Sequence, residues 1–206
     1  MCIRDSIYTA QQNTELVNEV YSTPIDGGSS IRLNDENLAS NSFNQTLEDA
    51  DVFNFEVSPN SQHVVYRVSS NLSTRLFQSP IRSANSTIQL STADIRGSVS
   101  TNFSISADSQ RVTYLGALID FSRNDLINVS INGGSSQIIN SPPLNLNGSA
   151  NIFDFLESPS SEYVIYLATR PEAELFSVRL ITEEPEATEL CFPITSRNDD
   201  ITIICL

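Results

Sequence analysis

One phrase recurs three times in this chain: VFNFEVSPNSQHVVYRVSS at 52–70, TNFSISADSQRVTYLGALI at 101–119 and IFDFLESPSSEYVIYLATR at 152–170. Aligned on Ser58, Ser106 and Ser158, the copies are spaced by 48 and 52 residues, a period in the range of four-stranded propeller blades. A repeat of that size buries its apolar faces only by stacking on its neighbours. The spacing therefore predicts an all-β fold, a β-propeller of four-stranded antiparallel blades.

Each copy opens with alternation, Phe53/Phe55/Val57 in the first and Phe103/Ile105 in the second, the period-two signature of a strand with one buried face. A turn follows at Pro59-Asn60-Ser61, Ala107-Asp108-Ser109 and Pro159-Ser160-Ser161, where proline or small polar residues suit a tight reversal. The second strand then carries Val64/Tyr66/Val68, Val112/Tyr114 and Val164/Tyr166 on one face. A third strand is expected at 75–81, 125–131 and 174–180, with a fourth copy at 19–25. In it both parities are apolar (Leu76, Phe77 and Ile81; Leu126, Ile127 and Ile131), as befits a strand packed between two neighbouring blades.

Ile25-Asp26-Gly27-Gly28 and Ile131-Asn132-Gly133-Gly134 read as hairpin turns, because Gly and Asn tolerate positive φ. Short closing strands should follow at 31–33, 88–90, 137–139 and 188–190. Pro24 and Pro80 fall within third strands, where a missing N–H interrupts the ladder, so a bulge or an early strand end is expected at each.

The count is a partial blade at 7–34, full blades at about 51–90, 99–140 and 151–190, and a single opening strand at 200–206, together an incomplete arc within one domain. Ile7-Tyr8-Thr9-Ala10 aligns with the second strand of the repeat, so the first blade lacks its first strand. Residues 1–6, Met-Cys-Ile-Arg-Asp-Ser, are what a transposon mosaic-end adapter encodes. They are expected to be a sequencing artefact outside the fold, and the chain is expected to be an internal piece of a longer protein.

Charge is lopsided, with 25 acidic against 11 basic residues and a net of −14; all the basic residues are Arg. Such a surface repels phosphate backbones, and no basic stripe interleaves with aromatics, which argues against nucleic-acid binding. No apolar run is long enough to span a bilayer as a helix. Cys191 and Cys205 lack metal-like spacing.

The residues offer no catalytic constellation. The sole histidine, His63, aligns with Arg111 and Tyr163, so a structural surface role is expected for it. There is no Gly-x-Ser-x-Gly elbow and no phosphate-cradling glycine loop. Carboxylates cluster at Glu48/Asp49/Asp51, Asp199/Asp200 and Glu183/Glu184/Glu186, without the spacing of a calcium loop. Asp120 and Asp125, flanking Arg123-Asn124, are expected in a solvated loop. No catalytic, cofactor or metal residue is assigned.

Ser58-Pro59, Ser158-Pro159, Tyr66, Tyr114, Tyr166, Tyr21 and Asp26-Gly27-Gly28 together resemble the TolB-type, WD-like β-propeller repeats of bacterial proteins. The resemblance covers nearly all of 7–206. It departs at the first turn, where the family's Pro-Asp-Gly glycine is missing from all three copies, which leaves the turn geometry open. The resemblance implies a secreted, periplasmic or surface propeller that binds a protein partner and transfers no catalytic residue. Two functions compete: a non-catalytic binding scaffold acting through variable inter-strand loops, and the gating propeller of a larger serine hydrolase of prolyl-oligopeptidase type. A glycan-binding propeller ranks below both, because the chain has no Trp.

Overall fold

The computed structural model describes residues 5–13, 15–35, 51–69, 73–92, 98–117, 123–140, 151–170, 172–180 and 186–189. These form four antiparallel sheets. The first holds β1 (Asp5–Ala10), β2 (Glu19–Pro24) and β3 (Ile31–Arg32). The second holds β4 (Asp51–Val57), β5 (His63–Ser69), β6 (Thr74–Pro80) and β7 (Ile88–Gln89). The third holds β8 (Val99–Ile105), β9 (Arg111–Gly116), β10 (Asp125–Ser130) and β11 (Gln137–Ile138). The fourth holds β12 (Ile152–Glu157), β13 (Tyr163–Arg170), β14 (Glu172–Arg179) and β15 (Glu186–Glu189). In every sheet the strands lie side by side in chain order, the up-and-down arrangement of a propeller blade.

The first strands β4, β8 and β12 touch one another in succession, so they form the inside of the arc. Both faces of the middle sheets are covered. Val64, Tyr66 and Val68 pack with Val20, Leu33 and Val52 between the first and second sheets. Val65, Leu76 and Leu90 pack with Tyr114, Val112 and Ile127 between the second and third. Leu115, Leu126 and Ile139 pack with Tyr166, Val164 and Phe176 between the third and fourth. Alternate residues of one second strand thus serve two different seams, which is why both parities of the third strand are apolar.

The prolines end their strands as expected: β2 stops at Pro24, paired with Asp5, and β6 stops at Pro80, paired with His63. Gly27 and Gly133 take φ of 96° and 81° in hairpin turns whose N–H groups donate to Pro24 and Ser130 carbonyls at 3.2 and 2.9 Å. Tyr8 pairs with Tyr21 as Tyr66 pairs with Phe77, so β1 is indeed the second strand of its repeat. Asp5 and Ser6, from the segment expected to be an artefact, are the first two residues of β1. Residues 1–4, the opening strand at 200–206, Cys191 and Cys205 lie outside the described residues.

The opening alternation needs one correction. Phe53 does not share a buried face with Phe55 and Val57; it is 63% exposed while Val52 is buried. The cause is a β-bulge. Val52 pairs with Val68 but Asn54 pairs with Arg67, so Phe53 is an extra residue with no opposite number. A bulge of this kind inverts side-chain parity on either side of it. The same device recurs in β12, where Ile152 pairs with Ala168 and Asp154 with Leu167, leaving Phe153 52% exposed. In β8 the register shifts between Val99 and Phe103.

Candidate functional site

Two ends of the arc differ in construction. At one end lie the first turns and the glycine hairpins; at the other lie the starts of the first strands and the loops after the second strands.

The turn end is locked by serine. Ser58 Oγ accepts the backbone N–H groups of Gln62 and His63 at 3.3 and 3.0 Å. Ser106 Oγ does the same for Gln110 and Arg111 at 3.2 and 2.9 Å, and Ser158 Oγ for Glu162 and Tyr163 at 3.2 and 3.0 Å. The left-handed position that glycine fills in the related repeats is held by Ser61, Ser109 and Ser161, with φ of 55°, 61° and 58°. A side chain there costs about 1–2 kcal/mol relative to glycine. The hydroxyl supplies the compensation: Ser109 Oγ accepts the Asn60 N–H of the preceding blade at 3.0 Å, and Ser161 Oγ accepts the Ala107 N–H at 2.7 Å. At Ser109 and Ser161 the missing glycine is therefore a change of turn residue that ties blades together, and in all three copies the turn itself is retained.

His63, Arg111 and Tyr163 start their second strands at this end. Tyr163 is exposed, whereas His63 and Arg111 are partly buried. Arg111 reaches the next blade and donates to the Ser161 carbonyl at 2.7 Å. His63 is half-buried, and desolvation holds its imidazole below the usual histidine range. The Ser58 hydroxyl meets the backbone of His63, and the geometry of the pair is that of a turn.

The opposite end holds the candidate site. Here the two bulges present Phe53 and Phe153 to solvent from equivalent positions two blades apart. Between them runs a polar belt. Arg67 donates to Asn54 Oδ1 at 3.1 Å and to the Val99 carbonyl at 3.1 Å. Asn54 Nδ2 reaches the Thr101 carbonyl at 3.5 Å, and Asn102 Nδ2 donates to Asp154 Oδ1 at 2.9 Å. The belt crosses all three first strands, so the phenylalanines stand on a rim whose backbone is cross-braced. Exposed apolar side chains on a rigid frame are the raw material of a binding hot spot. Reading the strand by alternation alone missed this rim, because parity is lost at a bulge; the doubled phenylalanines of Phe53-x-Phe55 and Phe153-x-Phe155 were the available signal.

Asp51 at this end has a structural role. Asp51 Oδ1 accepts the Asn18 N–H at 2.6 Å, repeated by Ser98 Oγ with Thr74 N–H at 3.2 Å and by Asn151 Oδ1 with Asn124 N–H at 2.7 Å. Each is a stitch from one blade to the start of the next. Asp125 also differs from the expectation of a solvated loop: it is fully buried at the head of β10, 3.6 Å from Arg123 and 3.5 Å from Asn140 Nδ2. Burial there follows from its place in the third strand, which lies between two seams. Asp120, Glu48, Asp49, Glu183, Glu184, Asp199 and Asp200 lie outside the described residues. No group of three or more His, Cys, Asp or Glu side chains able to hold a metal occurs among the described residues. No described helix is long and apolar enough to cross a membrane.

Compared with solved structures, the chain resembles a protein described as TolB from Agrobacterium tumefaciens, with a TM-score of 0.54 at 12% identity over 89% of this chain and 60% of that one. It also resembles the tricorn protease, with a TM-score of 0.61 at 13% identity over 89% of this chain and 17% of that one. No protein-family model matches the sequence, and no curated protein matches it closely enough to be counted a relative. The likeness defines the class: this is a β-propeller module with the fold of the TolB-type propellers. The chain spans less than two thirds of either structure's length.

Proposed function

We propose that this chain is a non-catalytic binding and scaffold module of an extracytoplasmic bacterial protein, and that it engages a protein partner at the rim formed by the first-strand bulges and the loops beside them. The observation that carries this reading is the pair of exposed phenylalanines, Phe53 and Phe153, at equivalent bulges on the braced inner strands. Neither packs into a seam, so their exposure is not explained by the packing of the blades. The extracytoplasmic setting rests on the resemblance to TolB-type repeats and on the fold shared with TolB.

Capture from an envelope extract tests the reading. The unaltered chain should retain a defined protein that the Phe53→Ser/Phe153→Ser double variant loses and that Arg82→Ala, on the turn end, keeps. Equal retention by both variants, or no retained protein, would count against it.

A second reading is favoured by the structural likeness to the tricorn protease: a gating propeller attached to a hydrolase. An extended gene encoding a Gly-x-Ser-x-Gly elbow followed by Asp and His would move the assignment there. Further blades with a secretion signal would support the scaffold.

A further inference from the structure

A carboxyl group sits where the repeat otherwise places an aliphatic side chain. Glu157 ends β12 at the position of Val57 in β4 and Ile105 in β8. Its side chain faces the seam between the third and fourth blades. Oε2 accepts the Thr113 hydroxyl at 3.2 Å, and Thr113 in turn accepts Asn128 Nδ2 at 2.9 Å. Oε1 is buried without a hydrogen-bond partner. Three charged groups act on it electrostatically. Arg111 of β9 attracts it, while Asp108 of the β8–β9 turn and Glu56 of β4 repel its charged form. Arg111 is also committed to the Ser161 carbonyl, and Asp108 Oδ1 is occupied by the Ser106 hydroxyl at 2.5 Å and the Gln110 N–H at 2.9 Å. A partly buried carboxylate with one oxygen unpaired and two like charges repelling it is costly, and the neutral acid costs less.

We propose that Glu157 is a pH-responsive latch between the third and fourth blades: the protonated carboxyl lets the seam close, and loss of its proton loosens it. Desolvation, the largest influence, pushes the group up to about 7 against a usual value of 4.5, opposed by the Thr113 hydrogen bond and by Arg111. A folded-state value above the unfolded one means the stabilisation is complete below about 4.5 and is lost as pH rises through about 7. Glu56 is shifted in the same direction by its own burial, against a backbone hydrogen bond from Ile105. Asp108 is shifted the other way: burial raises it, but Ser106, Gln110 and Arg111 together hold it below the usual range. Neither of these ends a first strand inside the third-to-fourth seam, so the latch belongs to Glu157.

Thermal unfolding of the full chain between pH 6 and pH 8.5 tests the latch, with Glu157→Gln, Glu157→Val and Glu56→Gln in parallel. The unaltered chain should melt several degrees lower at the alkaline end. Glu157→Gln should abolish most of that fall, Glu157→Val should do the same with the residue that the second blade carries at this position, and Glu56→Gln should keep most of it. A fall that survives undiminished in both Glu157 variants overturns the proposal, as does one removed by Glu56→Gln alone. Carboxyl NMR of Glu157 supplies an independent readout: a midpoint near that of a free glutamate overturns it as well.

Discussion

Val65, Thr113 and Ile165 occupy the same position in three successive second strands, yet the first two are fully buried and the third is 40% exposed. The same contrast holds across the sheet. Leu76 and Leu126 are fully buried, whereas their counterpart Leu175 is only partly so. Leu156, beside Ile165 on the outer face of the fourth blade, is 74% exposed. The residues are no less apolar in the fourth blade; what differs is that the next blade's first strand lies over Val65 and Thr113. Burial in a stacked repeat belongs to the seam, and a blade presents an apolar face whether or not anything covers it.

The most severe way to break this comparison is a charge on each side of it. Val65→Asp places an unpaired carboxylate in the second-to-third seam and should cost more than about 3 kcal/mol in chemical denaturation. Ile165→Asp should stay within about 1 kcal/mol. If Ile165→Asp unfolds the chain as readily as Val65→Asp, the outer face is covered in solution and the contrast disappears.

Truncation probes the same boundary more gently. Leu76→Ala and Leu126→Ala should each lose about 2–5 kcal/mol, since each leaves a cavity between two blades. Leu175→Ala should lose markedly less, because solvent already reaches that side chain.

Removing one hydroxyl sharpens the comparison at the seam itself. Tyr66 OH lies 3.0 Å from Ser79 Oγ and 3.1 Å from Thr87 Oγ1, and both of those donate to the Leu33 carbonyl of the first blade at 2.9 and 3.1 Å. Burial pushes the phenol up to about 12. Tyr66→Phe should cost about 1 kcal/mol, measured by urea unfolding.

The smallest effect carries the most information. Ser161→Gly relieves a left-handed residue but deletes the bond from Ala107 N–H, so gain and loss should nearly cancel. Ser61→Gly relieves the same strain where, among the described residues, the hydroxyl makes no inter-blade bond, and should stabilise by about 0.5–1 kcal/mol. Equal stabilisation in both variants would show that the serine stitch contributes nothing.

Much of this was legible from residues alone. The tyrosines at 66, 114 and 166 mark the second strands because a large side chain with one polar end suits a seam where its hydroxyl finds a partner. Gly27-Gly28 and Gly133-Gly134 mark the hairpins because their φ values need glycine. Gly133 has an additional reason: a Cβ there would approach Ile88 Cγ2 of the neighbouring blade to 2.8 Å. The rim was not legible, because Phe53 and Phe153 sit in a run whose alternation looks regular until the partner strand is counted. The latch was not legible either, because nothing in ESPSS distinguishes an exposed glutamate from one pressed against Thr113.

The sequence by itself determined the period, the strand order within each blade and the identity of the apolar faces, since these are local: spacing, side-chain parity and turn chemistry act within some fifty residues. Tertiary structure decided what each face meets. The bulges, the serine stitches, the burial of Asp125 and the surroundings of Glu157 all depend on residues one blade away, and a period read along one chain carries no record of a mismatch between two strands or of the charge lying opposite.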